Sequence, residues 1–273
     1  MCGIVGVFAL GSSNVDPSVV ERMRDAMQSR GPDGAGLWMS ERCDVGLGHR
    51  RLSIIDLSTL ANQPMPNEDR SVWLTFNGEI YNHHGLRREL LDKRHRFTTD
   101  HSDTEVLVHG FEEWGIDGLL ERLSGDFAFG IYDAKEDALY LARDQIGVKP
   151  IYFGIFGDEF VFGSEIKALM EHPRAERDID PYAMIHYLSF LTTPAPMTMF
   201  KGVYKLPAGC RLRVGRDGSC RLHRYYDAAP GKGIRPEEVA GLSDRARESF
   251  YVDGIRTRLR GAVQRRMMSD VPF

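Results

Sequence analysis

Residues 125–164 read GDFAFGIYDAKEDALYLARDQIGVKPIYFGIFGDEFVFGS. Four strand-like runs lie in this stretch, at 126–133, 138–143, 151–155 and 159–162. Two of the joining segments, 134–137 and 156–158, are of hairpin length. Short connections make antiparallel neighbours. On the N-terminal side, residues 3–9 form a short strand around glycines, and 71–76 another with Val72, Leu74 and Phe76 on one face. Between 45 and 57 lies an apolar stretch interrupted by His49-Arg50-Arg51. Helices are spaced among these strands. Asp16 caps a helix that opens on Pro17 and turns Val19, Val20, Met23, Ala26 and Met27 to one side. Arg30-Gly31-Pro32-Asp33-Gly34 stops it and reads as a turn. Asn82 caps a helix bearing Leu86, Leu90 and Leu91. Ser102 with Glu105 is a capping-box signature before Val106, Leu107, Gly110, Phe111 and Trp114. Asp180-Pro181 starts a helix predicted to face Met184, Ile185 and Leu188 inward. A last hairpin turns at Asp217-Gly218 between 210–214 and 220–226. Helices grouped between blocks of antiparallel strands predict an α+β domain with stacked sheets.

The C-terminal part changes character. Residues 228–247 hold Pro230, Gly231, Gly233, Pro236 and many charges and read as a linker. Beyond them Ile255, Leu259, Ala262, Val263 and Met267 describe a fresh amphipathic helix, and the sequence reads as cut inside a second domain.

Composition narrows the class. The 273 residues carry a formal net charge of −4, which argues against a nucleic-acid binder. The arginines between 256 and 266 read as a solvated helix face. No stretch approaches the roughly 20 apolar residues of a membrane helix, and the N-terminus shows no secretory signal. Cysteines at 2, 43, 210 and 220 make no disulfide framework, and their spacing predicts no structural zinc. If Asp217-Gly218 is a two-residue turn, Cys220 faces Gly215 and Cys210 faces Tyr225, too far apart to bridge. The nine histidines show no metal-ligand spacing, so no metal is expected. The default is a cytoplasmic protein with reduced thiols.

Chemistry has four local candidates. Cys2 reads as a small buried residue or, once Met1 is removed, as a nucleophile beside a free α-amine of pKa roughly 7.7–8.0 that serves as its base. Arg51 reads as a surface ion pair or as a bidentate carboxylate ligand. Asn77-Gly78 reads as a hairpin turn or as an oxyanion hole built from the Asn77 amide and the Gly78 N–H. Asp103 reads as a helix cap or as the partner of an ammonium group.

An ordered series of motifs spans the chain. It runs through Met1-Cys2-Gly3-Ile4-Val5-Gly6, Arg30-Gly31-Pro32-Asp33-Gly34, Arg51-Leu52-Ser53-Ile54-Ile55-Asp56 and Gln63-Pro64. Asn77-Gly78-Glu79-Ile80-Tyr81-Asn82, Ser102-Asp103-Thr104-Glu105, Arg143-Asp144 and Ser164-Glu165-Ile166-Lys167-Ala168-Leu169 follow. Lys205-Leu206-Pro207-Ala208-Gly209 and Met268-Ser269-Asp270-Val271-Pro272 complete it. The set resembles the glutamine-dependent asparagine synthetases, which are class II, N-terminal-nucleophile amidotransferases.

The resemblance implies a four-layer αββα sandwich of the Ntn-hydrolase kind. It implies Cys2 as nucleophile, Asn77 and Gly78 as oxyanion hole, and Arg51, Glu79 and Asp103 as ligands of the glutamine head group. It implies a glutaminase domain at 2–227, a linker at 228–250 and the first helix of a truncated synthetase domain at 251–273. Glutamine is the implied substrate. No cofactor is expected for the glutaminase domain, and ATP and Mg²⁺ only for the synthetase domain, its partner in the parent protein. No nucleic-acid or membrane partner is expected, and a homodimer is compatible with the sequence. Two other readings are a glutaminase that feeds a different carboxylate acceptor, and a docking domain without turnover. The joint presence of Cys2, Arg51, Asn77, Gly78 and Asp103 argues against the last.

Overall fold

The structure, a computed structural model, describes residues 1–229 and 236–272. Two antiparallel sheets of six strands are stacked. The first holds β1 (Gly3–Ala9), β2 (Gly34–Met39), β3 (Val45–Arg51), β8 (Tyr152–Phe156), β9 (Glu159–Gly163) and β10 (Val203–Lys205), in the order β10-β8-β9-β1-β3-β2. The second holds β4 (Met65–Pro66), β5 (Val72–Ile80), β6 (Gly125–Asp133), β7 (Ala138–Arg143), β11 (Cys210–Gly215) and β12 (Cys220–Arg224), in the order β12-β11-β7-β6-β5-β4. Helices α1 (Pro17–Asp25) and α4 (Ile166–Leu169) cover the outer face of the first sheet. Helices α2 (His83–Asp92) and α3 (Glu105–Arg122) cover that of the second, α3 breaking at Gly115 where φ is 65°. Two more helices, α5 (Pro181–Phe190) and α6 (Asp244–Arg265), lie mostly exposed. The layers are helix, sheet, sheet, helix, the expected α+β sandwich. Among the described residues no helix is long and apolar enough to cross a membrane.

The layering explains the weak alternation of β1. Ile4 and Phe8 enter the core between the sheets, while Val5, Val7 and Ala9 pack under α1. A strand covered on both faces has no polar face to show. The buried phenylalanines Phe8, Phe160 and Phe162 fill the middle layer, and Phe127 and Phe129 pack toward α2 and α3. Each contributes about 1.5–3 kcal/mol relative to an exposed ring.

The stretch 125–164 folds as two hairpins, one in each sheet: β6–β7 in the second and β8–β9 in the first. The chain changes sheet after Arg143, where the buried Asp144 carboxylate accepts N–H groups of Phe127, Ile146, Val148 and Lys149.

Several local expectations are corrected. The strand predicted to end at Phe76 continues to Ile80, because Asn77 and Gly78 pair with Ala128 and Phe127 of β6; they form no turn. The last hairpin pairs Cys220 with Val214 and Cys210 with Arg224, one residue off the expected register. Its loop is longer, with Gly215 N bonded to Ser219 O and Gly218 at φ 78°, a left-handed position that suits glycine. All four cysteines are free. Asn82 does not cap α2 with its side chain; it ties Ser124 N and Arg122 O instead. The capping box at α3 does not close, since Glu105 accepts from Thr98 and Thr99 while Ser102 serves Thr104 N. Helix α5 turns Met184, Ile185 and Leu188 outward, and only its Ala183 is buried. Helix α6 begins at Asp244, capped by Ser243, inside the stretch 228–250 read as linker. Of that stretch, 230–235 lie outside the described residues.

Candidate active site

Cys2 stands just before β1, whose Gly3 pairs with Arg50 near the end of β3. Its Sγ accepts from Leu52 N at 3.4 Å and donates to Leu52 O at 3.6 Å. Burial pushes the Cys2 thiol pKa up, so it rests protonated and needs a base. Burial also lowers the pKa of the terminal amine at Met1, which leaves more of it neutral near pH 7.

Strand β5 comes to this point from the opposite sheet. Phe127 N and O are both engaged by Asp144. Gly78 and Phe127 are therefore a non-hydrogen-bonded pair, and the Gly78 N–H points away from β6 to the open edge of β5. Its neighbours on that edge are bonded to side chains, Phe76 N to Gln63 Oε1 at 2.6 Å and Ile80 N to Asp103 Oδ2 at 3.0 Å. Asn77 is 1% exposed, and its Nδ2 has no hydrogen-bond partner among the described residues. A buried amide left unpaired is costly unless something else takes its hydrogens.

Charged groups complete the enclosure. Burial pushes the Asp103 carboxyl up to about 7, against the Ile80 N–H and with help from nearby Glu79. Burial likewise raises Glu79, with Lys149 opposing. Arg51 donates from Nη1 to Ser58 O at 2.7 Å and Asn62 Oδ1 at 2.8 Å, and from Nη2 to Asp56 O. Three of its five N–H donors hold the loop at 56–62, and two remain for a ligand.

Cys2, Arg51, Asn77, Gly78, Glu79 and Asp103, the residues singled out in the sequence, line one pocket with about 60 Å³ of free space. Met1 lines it too, and so do Ile54, Ile55, Gln63 and Lys149. The pocket joins an acceptor-poor end, Asn77 Nδ2 and Gly78 N–H, to an acidic end at Glu79 and Asp103, with the thiol on its wall.

Sequence reasoning missed the groups that hold these in place. Arg30 donates from Nε to Cys2 O at 2.9 Å and pairs with Glu165 at 3.0 Å. Ser164 exchanges hydrogen bonds with Ile4, so the start of β1 is fixed from the other side. Gln63 bridges Phe76 N and Thr104 Oγ1 and so ties β5 to the Asp103 segment. Their motifs are visible in the sequence, but the partners lie far along the chain. Lys149 is placed by its own N–H on Asp144.

Comparison with known proteins shows the family and the fold. The family model described as a glutamine amidotransferase domain matches residues 1–226. Glutamine-hydrolyzing asparagine synthetase 1 of Bacillus subtilis (strain 168) is 36% identical over 275 residues, covering 100% of this chain and 41% of that protein. Amidase chry2 of Gibberella zeae is 31% identical over 283 residues, covering 100% of this chain and 40% of that protein. The chain thus spans about two fifths of the length of these curated relatives. The structure of glutamine phosphoribosylpyrophosphate amidotransferase from B. subtilis, complexed with ADP and GMP, aligns with a TM-score of 0.60 at 21% identity, over 82% of this chain and 49% of that one. At that identity the likeness concerns the fold.

Proposed function

Because the chain belongs to the glutamine amidotransferase domain family, we propose that its pocket hydrolyses glutamine to glutamate and ammonia with the Cys2 thiol as nucleophile. The observation that carries this reading is the buried Asn77 Nδ2 without a partner, lining the same pocket as the thiol. The α-amine of Cys2, free once Met1 is removed, takes the thiol proton as sulfur attacks the side-chain amide. Asn77 Nδ2 and Gly78 N–H stabilise the oxyanion. The proton passes to the departing ammonia, and water then hydrolyses the γ-glutamyl thioester. Arg51 takes the α-carboxylate through its two remaining donors, while Glu79 and Asp103 take the α-ammonium group. Met1 occupies part of the pocket wall, so its removal frees both the amine and space.

The ammonia feeds an ATP-dependent synthetase domain of a longer parent protein, where ATP and Mg²⁺ act and aspartate is the acceptor. The length of the relatives supports this, as does the apolar surface left open on α5 and α6. A second acceptor reading draws on the likeness to a relative named an amidase. Under it the same glutaminase serves another carboxylate.

The test is Cys2→Ala, which fits the space of the thiol. The folded variant is expected to produce no glutamate from glutamine, and intact mass should show active wild-type material without Met1. Turnover by a folded Cys2→Ala chain, or full activity in chains that keep Met1, would remove the nucleophile or its base from this reading.

A further inference from the structure

Away from the pocket, two histidines and two glutamates converge: Glu68 from the β4–β5 loop, His95 after α2, and His109 and Glu112 from α3. One ligand atom from each lies within 4.8 Å of all the others. We propose that these four side chains form a structural zinc site.

His109 is the strongest indication. Its side chain is 2% exposed, and neither ring nitrogen has a hydrogen-bond partner among the described residues. Burying an imidazole without hydrogen bonds is costly; a metal bond satisfies Nδ1, and Nε2 is left facing a carboxylate, Glu105 Oε1 at 3.5 Å. Nδ1 lies 3.3 Å from Glu68 Oε2, and His95 Nδ1 lies 4.0 Å from Glu68 Oε1 and 3.9 Å from Glu112 Oε2. Metal–ligand bonds of about 2.0–2.1 Å put tetrahedral ligand atoms about 3.3 Å apart. Of the separations given, the His109 pair already matches this and the two His95 pairs must close by about 0.6–0.7 Å, while all the ligand atoms lie within 4.8 Å of one another, so binding requires side-chain adjustment of up to about 1.5 Å. His109 and Glu112 are one helical turn apart and share a face of α3.

The outer groups are arranged for a metal as well. A ligating histidine usually gives its other N–H to a carboxylate, which fixes tautomer and ring orientation. His95 Nε2 lies 3.3 Å from Glu113 Oε2, and His109 Nε2 lies 3.5 Å from Glu105 Oε1. Glu105 is itself anchored by Thr98 N and Thr99 N, and Glu113 by Lys93. The ligating carboxylates are also held: Glu68 Oε1 accepts from Arg96 N, and Glu112 Oε1 from Asn67 Nδ2. Two imidazoles with two carboxylates favour Zn²⁺ over the oxygen-seeking Mg²⁺ and Ca²⁺. The two carboxylates balance its charge. A cleft of about 310 Å³ lined by Glu68, Glu105 and His109 gives an entry path. An ion here staples the β4–β5 loop and the end of α2 to α3.

The test titrates ZnCl₂ into the chelator-stripped, full 273-residue chain carrying Cys2→Ala, so that the pocket thiol does not compete. One equivalent is expected to bind and to raise Tm. His109 is buried, and its replacement endangers folding. The variants are therefore the more accessible His95→Gln and Glu112→Gln, each expected to weaken binding at least about 100-fold. Glu113→Gln, which leaves all four ligands in place, should weaken it about 10- to 100-fold. Absence of a one-to-one complex, or affinity in His95→Gln and Glu112→Gln unchanged from the chain that carries Cys2→Ala alone, overturns the proposal.

Discussion

Asn77 and Arg51 face the same pocket, but their proposed contacts form at different moments. An oxyanion exists only once sulfur has attacked, so the Asn77 amide acts mainly in the transition state. Asn77→Ala is expected to lower kcat by about 10²–10³ with little change in KM. The α-carboxylate is present throughout, so Arg51→Lys should raise KM and leave kcat nearly intact. Steady-state kinetics with both losses in one parameter would undo at least one assignment. Asp103 adds a pH signature. Its carboxyl titrates about 7, raised from the ordinary 3.8 by burial. An ammonium ligand needs the ionised form, so kcat/KM for glutamine should rise with pH through about 7. In Asp103→Asn the KM should be high and should lose this dependence. For stability the sign is reversed. The folded chain holds this proton more tightly than the unfolded one, so the contribution is full below about 3.8 and is lost as pH climbs through 7. The Tm difference between wild type and Asp103→Asn, followed against pH, reads that term alone.

Strand β5 shows how an element converts sequence into a site, and where its reading ran out. Asn-Gly is a strong turn signal, yet here pairing with β6 on one side overrides it. Gly78 is required for that pairing: a Cβ would stand 2.3 Å from Asp126 O. Gly78→Ala must push β5 away from β6 and carry the N–H with it. A stability loss of about 1–3 kcal/mol is expected, together with a kcat loss beyond what the stability change explains. Denaturant unfolding beside kinetics at low temperature separates the two. The strands of 125–164 were legible because each hairpin is local, and β1 because its residues are apolar throughout. The glycine-bearing β2 and the very short β4 and β10 left no pattern to read. Helix α5 misled because periodicity says that a face wants cover, not what covers it. Cys2, Arg51, Asn77 and Asp103 were legible from their own chemistry, while Glu79 came only through family resemblance. Arg30 and Gln63 were not, since what they hold, Cys2 O and Phe76 N, is brought to them only by the fold. The same holds for His95, His109, Glu68 and Glu112, whose spacing along the chain carries no ligand signature.

The C-terminal segment ties the molecule together across the sandwich. Much of the apolar side of α6 is open, with Ile255, Leu259, Val263 and Met267 each more than half exposed. The residues after it nonetheless return to the pocket. Arg266 pairs with Asp126 at 3.0 Å, and its guanidinium lies 5.0 Å from the Tyr81 ring. Asp270 N donates to Ile54 O at 2.9 Å, and Asp270 Oδ2 accepts from Asp56 N at 2.7 Å and lies 2.6 Å from His101 Nε2. Ile54 and Ile55 line the pocket, and Arg51 grips the same loop from inside through Asp56 O and Ser58 O. The loop is thus held on two sides, and losing the outer hold should let the Arg51 guanidinium drift from its carboxylate-binding pose. Asp270→Ala is expected to raise KM for glutamine by up to about tenfold, the equivalent of one charge-assisted hydrogen bond, with kcat largely kept. The hold is pH-dependent as well. Asp270, then Asp100, raises the His101 pKa above its usual 6.5, so the pair is complete below that pH and weakens as pH rises through the folded value. KM in the wild type should therefore drift upward as pH rises through the folded His101 value, through a step that Asp270→Ala lacks. Identical KM values across that range in both proteins would mean that the segment rests against the loop without supporting it.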